Sequence, residues 1–313
     1  MKNRSETLLS PIGFLGRSIA PMGKEGKSLG RLLLVLLGAM IGLGDWASSV
    51  GAESAPSPAS TPEWKPVSGR IMTRWAAQVR PDNVWPEYPR PTMVRPTWQN
   101  LNGLWEYAIR PKQEDRPAQW DGKILVPFCA ESALSGVGKP VGPDNRLWYR
   151  RAFDLPQNWT GGRVLLHFGA VDWEASVWLN GKLLGTHRGG YDAFSFDITD
   201  ALAKQGPQEL VLAVWDPTNT GTQPRGKQVL RPGGIWYTAV TGIWQTVWLE
   251  HVPASYIAGL RNTPDVDAGS LTVEAEVVGV QPGDRLRAIA FDGDKQVAQA
   301  EADAGQPLVL KIP

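Results

Sequence analysis

A chain of 313 residues, 42% of them hydrophobic, is long enough to bury a substantial core in one or two domains. Its formal net charge of +1 leaves no electrostatic footprint for nucleic acid or an anionic membrane surface. A single cysteine, Cys129, excludes an internal disulfide and reads as a buried, inert thiol.

Residues 1–60 read as processing signal and tether. Lys24, Lys27 and Arg31 precede an apolar run over 32–43, and Val50, Gly51 and Ala52 offer a small-residue cleavage site. The run is shorter than the ~20 apolar residues of a membrane-spanning helix. A signal peptide over 1–52 and an exported, periplasmic or extracellular protein are therefore expected, with Met22 an alternative start. Residues 53–66, rich in Pro, Ser and Ala, predict a flexible linker.

Over 64–107 the prolines at 81, 86, 89, 91 and 96 exclude long helices and predict an extended arm lying over a sheet. Short strands are expected at 103–107, after the Asn102-Gly103 turn, at 124–128 and at 146–153. The most informative stretch runs from 164 to 199. Val171, Trp173, Ala175, Val177 and Leu179 alternate with Asp172, Glu174, Ser176 and Trp178, the period-2 pattern of a half-buried strand. Asn180-Gly181 then suits a type I′ turn into a hairpin partner. A third alternating piece follows at Tyr191, Ala193, Phe194, Phe196 and Ile198, with one helical turn at 198–200. Residues 209–215 are apolar on both faces, as in a central strand, and a Gly/Pro/Thr/Arg-rich loop over 216–234 leads to a closing strand at 243–250. Most of the 15 tryptophans are expected in the core, with a minority free to stack on a ligand. After Tyr256 new alternations (Leu271, Val273, Ala275, Val277; Leu286, Ala288, Ala290) with Asp-Gly turns predict an immunoglobulin-like domain. The chain ends at Pro313, short of the ~100 residues such a domain takes, so this domain is expected to be partial.

The pieces NLNGLWEYAI, ILVPFCAESALSG, LWYRRAF, HFGAVDWEASVWLNGKLLGTHRGGYDAFSFDIT, LVLAVWDPT and TGIWQTVWLE, in this order over 75–253, resemble the amino-terminal sugar-binding domain of glycoside hydrolase family 2. That family includes β-galactosidases, β-glucuronidases and β-mannosidases. The resemblance implies an all-β chain: a jelly-roll-type antiparallel sandwich at 67–254, galactose-binding-like, then a partial immunoglobulin-like sandwich at 255–313. It implies no cofactor, and a catalytic (β/α)8 barrel carrying two glutamates. A barrel takes ~250 residues, and this sequence supplies none of it. Gln245 stands where relatives often have Arg.

Retaining glycoside hydrolysis needs two carboxylates ~5–5.5 Å apart, and the family's pair has no counterpart here, so the isolated chain is expected to be inactive. Asp172 and Glu174 leave one strand face ~6.6 Å apart, but two acids on a wet strand face read as solvated surface. Asp292 and Asp294 flank a turn glycine. Neither pair is taken as catalytic. The resemblance instead assigns sugar contacts. Asp216, directly after Trp215, matches an aspartate that accepts from sugar hydroxyls in the galactosidase branch, a task suited to a charged acceptor; the plainer reading is a turn after a strand. Glu131 matches another residue near the sugar, and Arg225 and Arg231 are candidates for the same rim. His167, His187 and His251 lack ligand spacing, so no metal site is expected.

Two function classes follow. In one, the chain is the amino-terminal portion of an exported β-glycosidase acting on β-linked galactosides or glucuronides, its sandwich flanking a downstream catalytic barrel. In the other, it is a stand-alone, non-catalytic carbohydrate-binding or structural sandwich.

Overall fold

The computed structural model describes residues 64–312, so the expected signal peptide and all but the end of the linker lie outside the described residues. Strands β1 (Trp98–Asn100), β2 (Gly103–Pro111), β3 (Gly122–Val126), β4 (Asn145–Phe153), β5 (Arg163–Phe168), β6 (Val171–Asp172) and β7 (Glu174–Leu179) open the fold. They are followed by β8 (Lys182–Arg188), β9 (Phe194–Asp197), β10 (Gln208–Trp215), β11 (Gln228–Val229), β12 (Tyr237–Thr238), β13 (Gly242–Ile243) and β14 (Val247–Val252). The two main layers are a four-stranded sheet, β1-β14-β5-β9, and a six-stranded sheet, β3-β2-β4-β10-β7-β8. Pairing within both is antiparallel. Their inner faces meet in one core that includes Trp105, Tyr149, Phe168, Leu166, Leu212 and Leu249. The chain is an all-β sandwich, as the alternation dictates.

The hairpin at Asn180-Gly181 forms with both residues at positive φ, 51° and 80°, as a type I′ turn requires. Three details differ from the alternation pattern. The third piece does not extend that hairpin: β9 crosses to pair with β5 in the opposite sheet, and Tyr191 and Ala193 stay exposed. The run at 171–179 is broken at Trp173, which is half-buried rather than core. Val171 and Asp172 instead pair with Ile243 and Gly242 of β13. The closing strand is likewise split, into β13 and β14. Both breaks occur where the sandwich gives way to the long loop, so side chains there answer to the loop rather than to the sheet.

Tryptophans also furnish layers outside the core. Trp148 and Trp178 stack at 5.8 Å on the outer face of the six-stranded sheet, and the Arg150 guanidinium lies 4.9 Å over Trp120. The proline-studded arm enters through a single 3-10 turn, Arg74–Gln78, and then lays Tyr88, Arg90 and Arg95 against Glu250 of β14. Beyond the sandwich, β15 (Tyr256–Asp265), β16 (Ser270–Val278), β17 (Arg285–Asp292), β18 (Lys295–Asp303) and β19 (Leu308–Lys311) form a three-stranded sheet, β15-β16-β19, and the hairpin β17-β18. These share a small core around Leu286, Leu308 and Leu310. Asp292 and Asp294 sit exposed at the turn between β17 and β18.

Candidate functional site

The long loop between β10 and β13 is anchored by three carboxylates from three different parts of the fold. Asp216, one residue past β10, closes an Asx turn: Thr218 N–H donates to Oδ1 at 2.7 Å and Thr218 Oγ1 to Oδ2 at 3.2 Å. Thr241 Oγ1, at the far end of the loop, also reaches Asp216 Oδ2, at 3.4 Å. Thr241 N–H donates to Glu131 Oε2 at 2.9 Å. Asp172 holds the middle, where its Oδ2 accepts from Gln228 Nε2 at 2.9 Å while Gln228 Oε1 accepts from Val240 N–H at 2.6 Å. Gly190 is required beside it, since a Cβ there would stand 2.5 Å from Asp172 Oδ1.

All three acids are buried, at 5% exposure for Glu131, 3% for Asp172 and 2% for Asp216. Burial pushes the carboxyls of Glu131 and Asp172 up to about 7, and the neighbouring Asp216 charge adds to each shift. Burial raises Asp216 as well. Glu131 Oε1 has no partner, and among the described residues no three acids, histidines or cysteines converge to hold a metal ion. Near Glu131, Cys129 is half-buried rather than fully buried as expected, and desolvation drives its thiol up to about 12, the state of an unreactive cysteine.

The resemblance's expectations are thus placed as follows. Glu131 and Asp216 come together through Thr241, under the loop rather than at its surface, and both Asp216 oxygens are already accepting. Arg225 is half-buried in the loop, its Nε without a partner, and Arg231 is exposed. Reading Asp172 as a wet-face acid is corrected: the strand break at Trp173 turns it inward, away from the Glu174 environment. What the loop presents outward is aromatic. Ile235, Trp236 and Tyr237 are exposed by 66, 44 and 64%, and Tyr191 beside them by 52%. Lys227 Nζ lies 6.0 Å from the Tyr237 ring. A three-residue apolar run inside a Gly-Gly loop, where no sheet can cover it, was the available sequence signal for this tip.

The raised carboxyls set a pH dependence of definite sign. In the folded chain Glu131 and Asp172 retain protons that an unfolded chain releases near pH ~4. Stability tied to them is fully present below that value and is lost as pH rises through about 7. The thermal midpoint is expected to fall between about pH 5 and about pH 8, and Asp172→Asn to flatten that fall by about 1–3 kcal/mol. Differential scanning calorimetry across this range checks it; an equally steep fall in the variant would remove Asp172 from the account.

Residues 140–236 match the family model described as glycosyl hydrolase 2 galactose-binding domain-like. The β-glucuronidase of Paenibacillus borealis is 24% identical over 237 residues, covering 70% of this chain and 40% of that one. The β-galactosidase of Thermoanaerobacter pseudethanolicus is 34% identical over 112 residues, covering 35% of this chain and 14% of the other. Among solved structures, Faecalibacterium prausnitzii β-glucuronidase superposes with a TM-score of 0.55 at 24% identity, over 74% of this chain and 42% of that one. The chain spans about 40% of the length of the β-glucuronidases it matches. Residues 140–236 therefore carry a domain of the glycosyl hydrolase 2 galactose-binding kind, and the chain is homologous to part of the β-glucuronidases and β-galactosidases of that family.

Proposed function

We propose that this chain supplies the sugar-facing sandwich of an exported β-glycosidase acting on β-linked glucuronides or galactosides, with residues 67–254 as the sugar-binding domain. The observation that carries this reading is the aromatic tip, Trp236 and Tyr237, held outward on a loop whose base is fixed by Asp216, Glu131 and Asp172. Aromatic faces suit the apolar C–H faces of sugar rings. The Arg225 guanidinium, with no ion-pair partner among the described residues, suits the carboxylate of a uronic acid. In this reading Asp216 and Glu131 position the loop, and the acid and nucleophile of hydrolysis come from barrel glutamates, so residues 1–313 alone turn nothing over.

Calorimetric titration of the chain with phenyl β-glucuronide and phenyl β-galactoside tests this. Trp236→Ala is expected to weaken binding by about tenfold, equivalent to ~1.4 kcal/mol, and Arg225→Gln to weaken the glucuronide selectively. Affinity unchanged in Trp236→Ala would remove the tip from the site. The burial of all three acids favours a second reading, a sandwich that binds sugar without any catalytic partner; hydrolysis of either phenyl glycoside when the chain is joined to a catalytic barrel, and not without it, would exclude that reading.

A further inference from the structure

A cavity lies against the four-stranded sheet, and none of its lining residues belongs to the long loop. It has a volume of 240 Å³, several times the ~30 Å³ share of one liquid water. Its wall includes Leu165, His167 and Ser195 on the outer face of the four-stranded sheet, Arg90 and Arg95 of the arm, and Tyr256 at the start of β15. Glu250 alone faces both guanidinium groups, at 2.8 Å from Arg90 Nη2 and 2.7 Å from Arg95 Nε. Asp197, also on the wall, is taken by Arg163 and by the Thr199 hydroxyl at 2.6 Å. Arg163 also reaches Asp200, at 3.4 Å, so with His167 neutral the charges of these ion pairs match in number, while both arm guanidiniums depend on Glu250.

What is left over is donors. Arg90 Nε is buried without an acceptor. The His167 side chain is 8% exposed and is fixed by stacking on Trp248 at 4.8 Å. Its Nε2 sits 3.4 Å from Glu250 Oε2 but makes no hydrogen bond in that direction. Buried donors without acceptors are costly, and an anion with several acceptor oxygens beside two guanidinium groups satisfies them.

We propose that this cavity is a binding site for a small oxyanion of the phosphate or carboxylate type, held by Arg90, Arg95 and His167. Arg95 also donates to the Ile257 carbonyl of β15, so a bound anion fastens the arm and the sandwich to the first strand of the following sheet.

The test is thermal unfolding of the full chain at fixed ionic strength in sodium chloride, sodium phosphate or sodium glucuronate. Phosphate or glucuronate is expected to raise the midpoint over chloride by about 2–4 °C at saturation. A response to phosphate alone assigns an inorganic or phosphoryl ligand, and a response to glucuronate alone assigns a sugar acid; either supports the site. Ser195→Phe fills the mouth without touching the ion pairs and is expected to abolish the shift while leaving the chloride midpoint in place. Arg90→Gln is expected to weaken the anion by at least about tenfold. Equal midpoints in all three salts, or an undiminished shift in Ser195→Phe, would overturn the assignment. Glucuronate is also expected at the Trp236 tip, so the part of its shift that Ser195→Phe removes, and the whole phosphate shift, report on this cavity; either proposal can then fail alone.

Discussion

Glu250→Gln is expected to cost about 3–5 kcal/mol in urea unfolding, because it breaks a buried charge cluster by removing its one shared partner. Glu250 is fully buried, at 0% exposure. Its carboxylate accepts from Tyr88 Oη at 2.5 Å, from Arg90 Nη2 at 2.8 and 2.9 Å and from Trp248 Nε1 at 2.9 Å, with Arg95 Nε at 2.7 Å. Burial opposes the charged form, but the His167 ring 3.4 Å away and the hydrogen bonds from Tyr88 and Trp248 outweigh it and hold the carboxyl well below the usual range. A glutamine would turn an amide donor toward a ring of donors and leave two arginines without compensation. The arm over 79–97 would lose its anchor and become open to protease. Glu174→Gln, which breaks the more exposed pair with Arg188 at 2.7 Å, is the contrast and is expected to stay within about 0.5 kcal/mol. A Glu250→Gln effect below about 1 kcal/mol would mean that the arm is not held this way. The sign with pH is opposite to that of the acids under the loop. With its carboxyl depressed, Glu250 contributes stability above the unfolded value near pH ~4, lost only as pH falls further.

The two acidic centres also mark the limit of what sequence pattern carries. Alternation is a local signal, and it located β7 because that strand is buried by the sandwich itself: Ala175, Val177 and Leu179 point inward as their spacing requires. It could not locate Glu250, whose neighbours in sequence are hydrophobic and whose partners lie some 160 positions away on the arm. It read Asp172 as solvated because a period-2 pattern assumes an unbroken strand, whereas the chain leaves the six-stranded ladder at Trp173. The resemblance drew attention to Glu131 and Asp216. Their convergence on Thr241 is a three-dimensional fact with no sequence signature, since 110 positions separate Glu131 from its donor. The exposed tip does carry a sequence signal: Ile235-Trp236-Tyr237 follows Gly233-Gly234, and a loop of that composition has nowhere to bury three large side chains.

Trp105→Ala is expected to remove about 3–5 kcal/mol, the usual cost of truncating a fully buried aromatic residue. Trp105 is 0% exposed, donates its Nε1–H to the Leu101 carbonyl at 2.9 Å and meets Tyr149 edge-on at 6.3 Å. Removing the indole leaves both a cavity and a buried carbonyl without its donor, so the loss should exceed that of Trp105→Phe, which keeps most of the volume and forfeits only the hydrogen bond. Trp236→Ala, at an exposed position, is expected to stay within about 0.5 kcal/mol. The contrast separates core from site by measurement: Trp236 is expected to matter for sugar binding and not for folding. Tyr149 is where the two meet. Its hydroxyl accepts from Ile243 N–H at 3.2 Å, and Gly242, at φ 98°, packs so tightly on that oxygen that no side chain fits. Gly242 follows Thr241, whose two donors hold Glu131 and Asp216. A cavity opened beside Tyr149 therefore loosens the loop's far anchor before it disturbs the outer strands. In Trp105→Ala, hydrogen exchange should accelerate first at Thr241 and Ile243, ahead of β5 and β14; uniform acceleration across both sheets would mean that core and loop are not mechanically joined through this tyrosine.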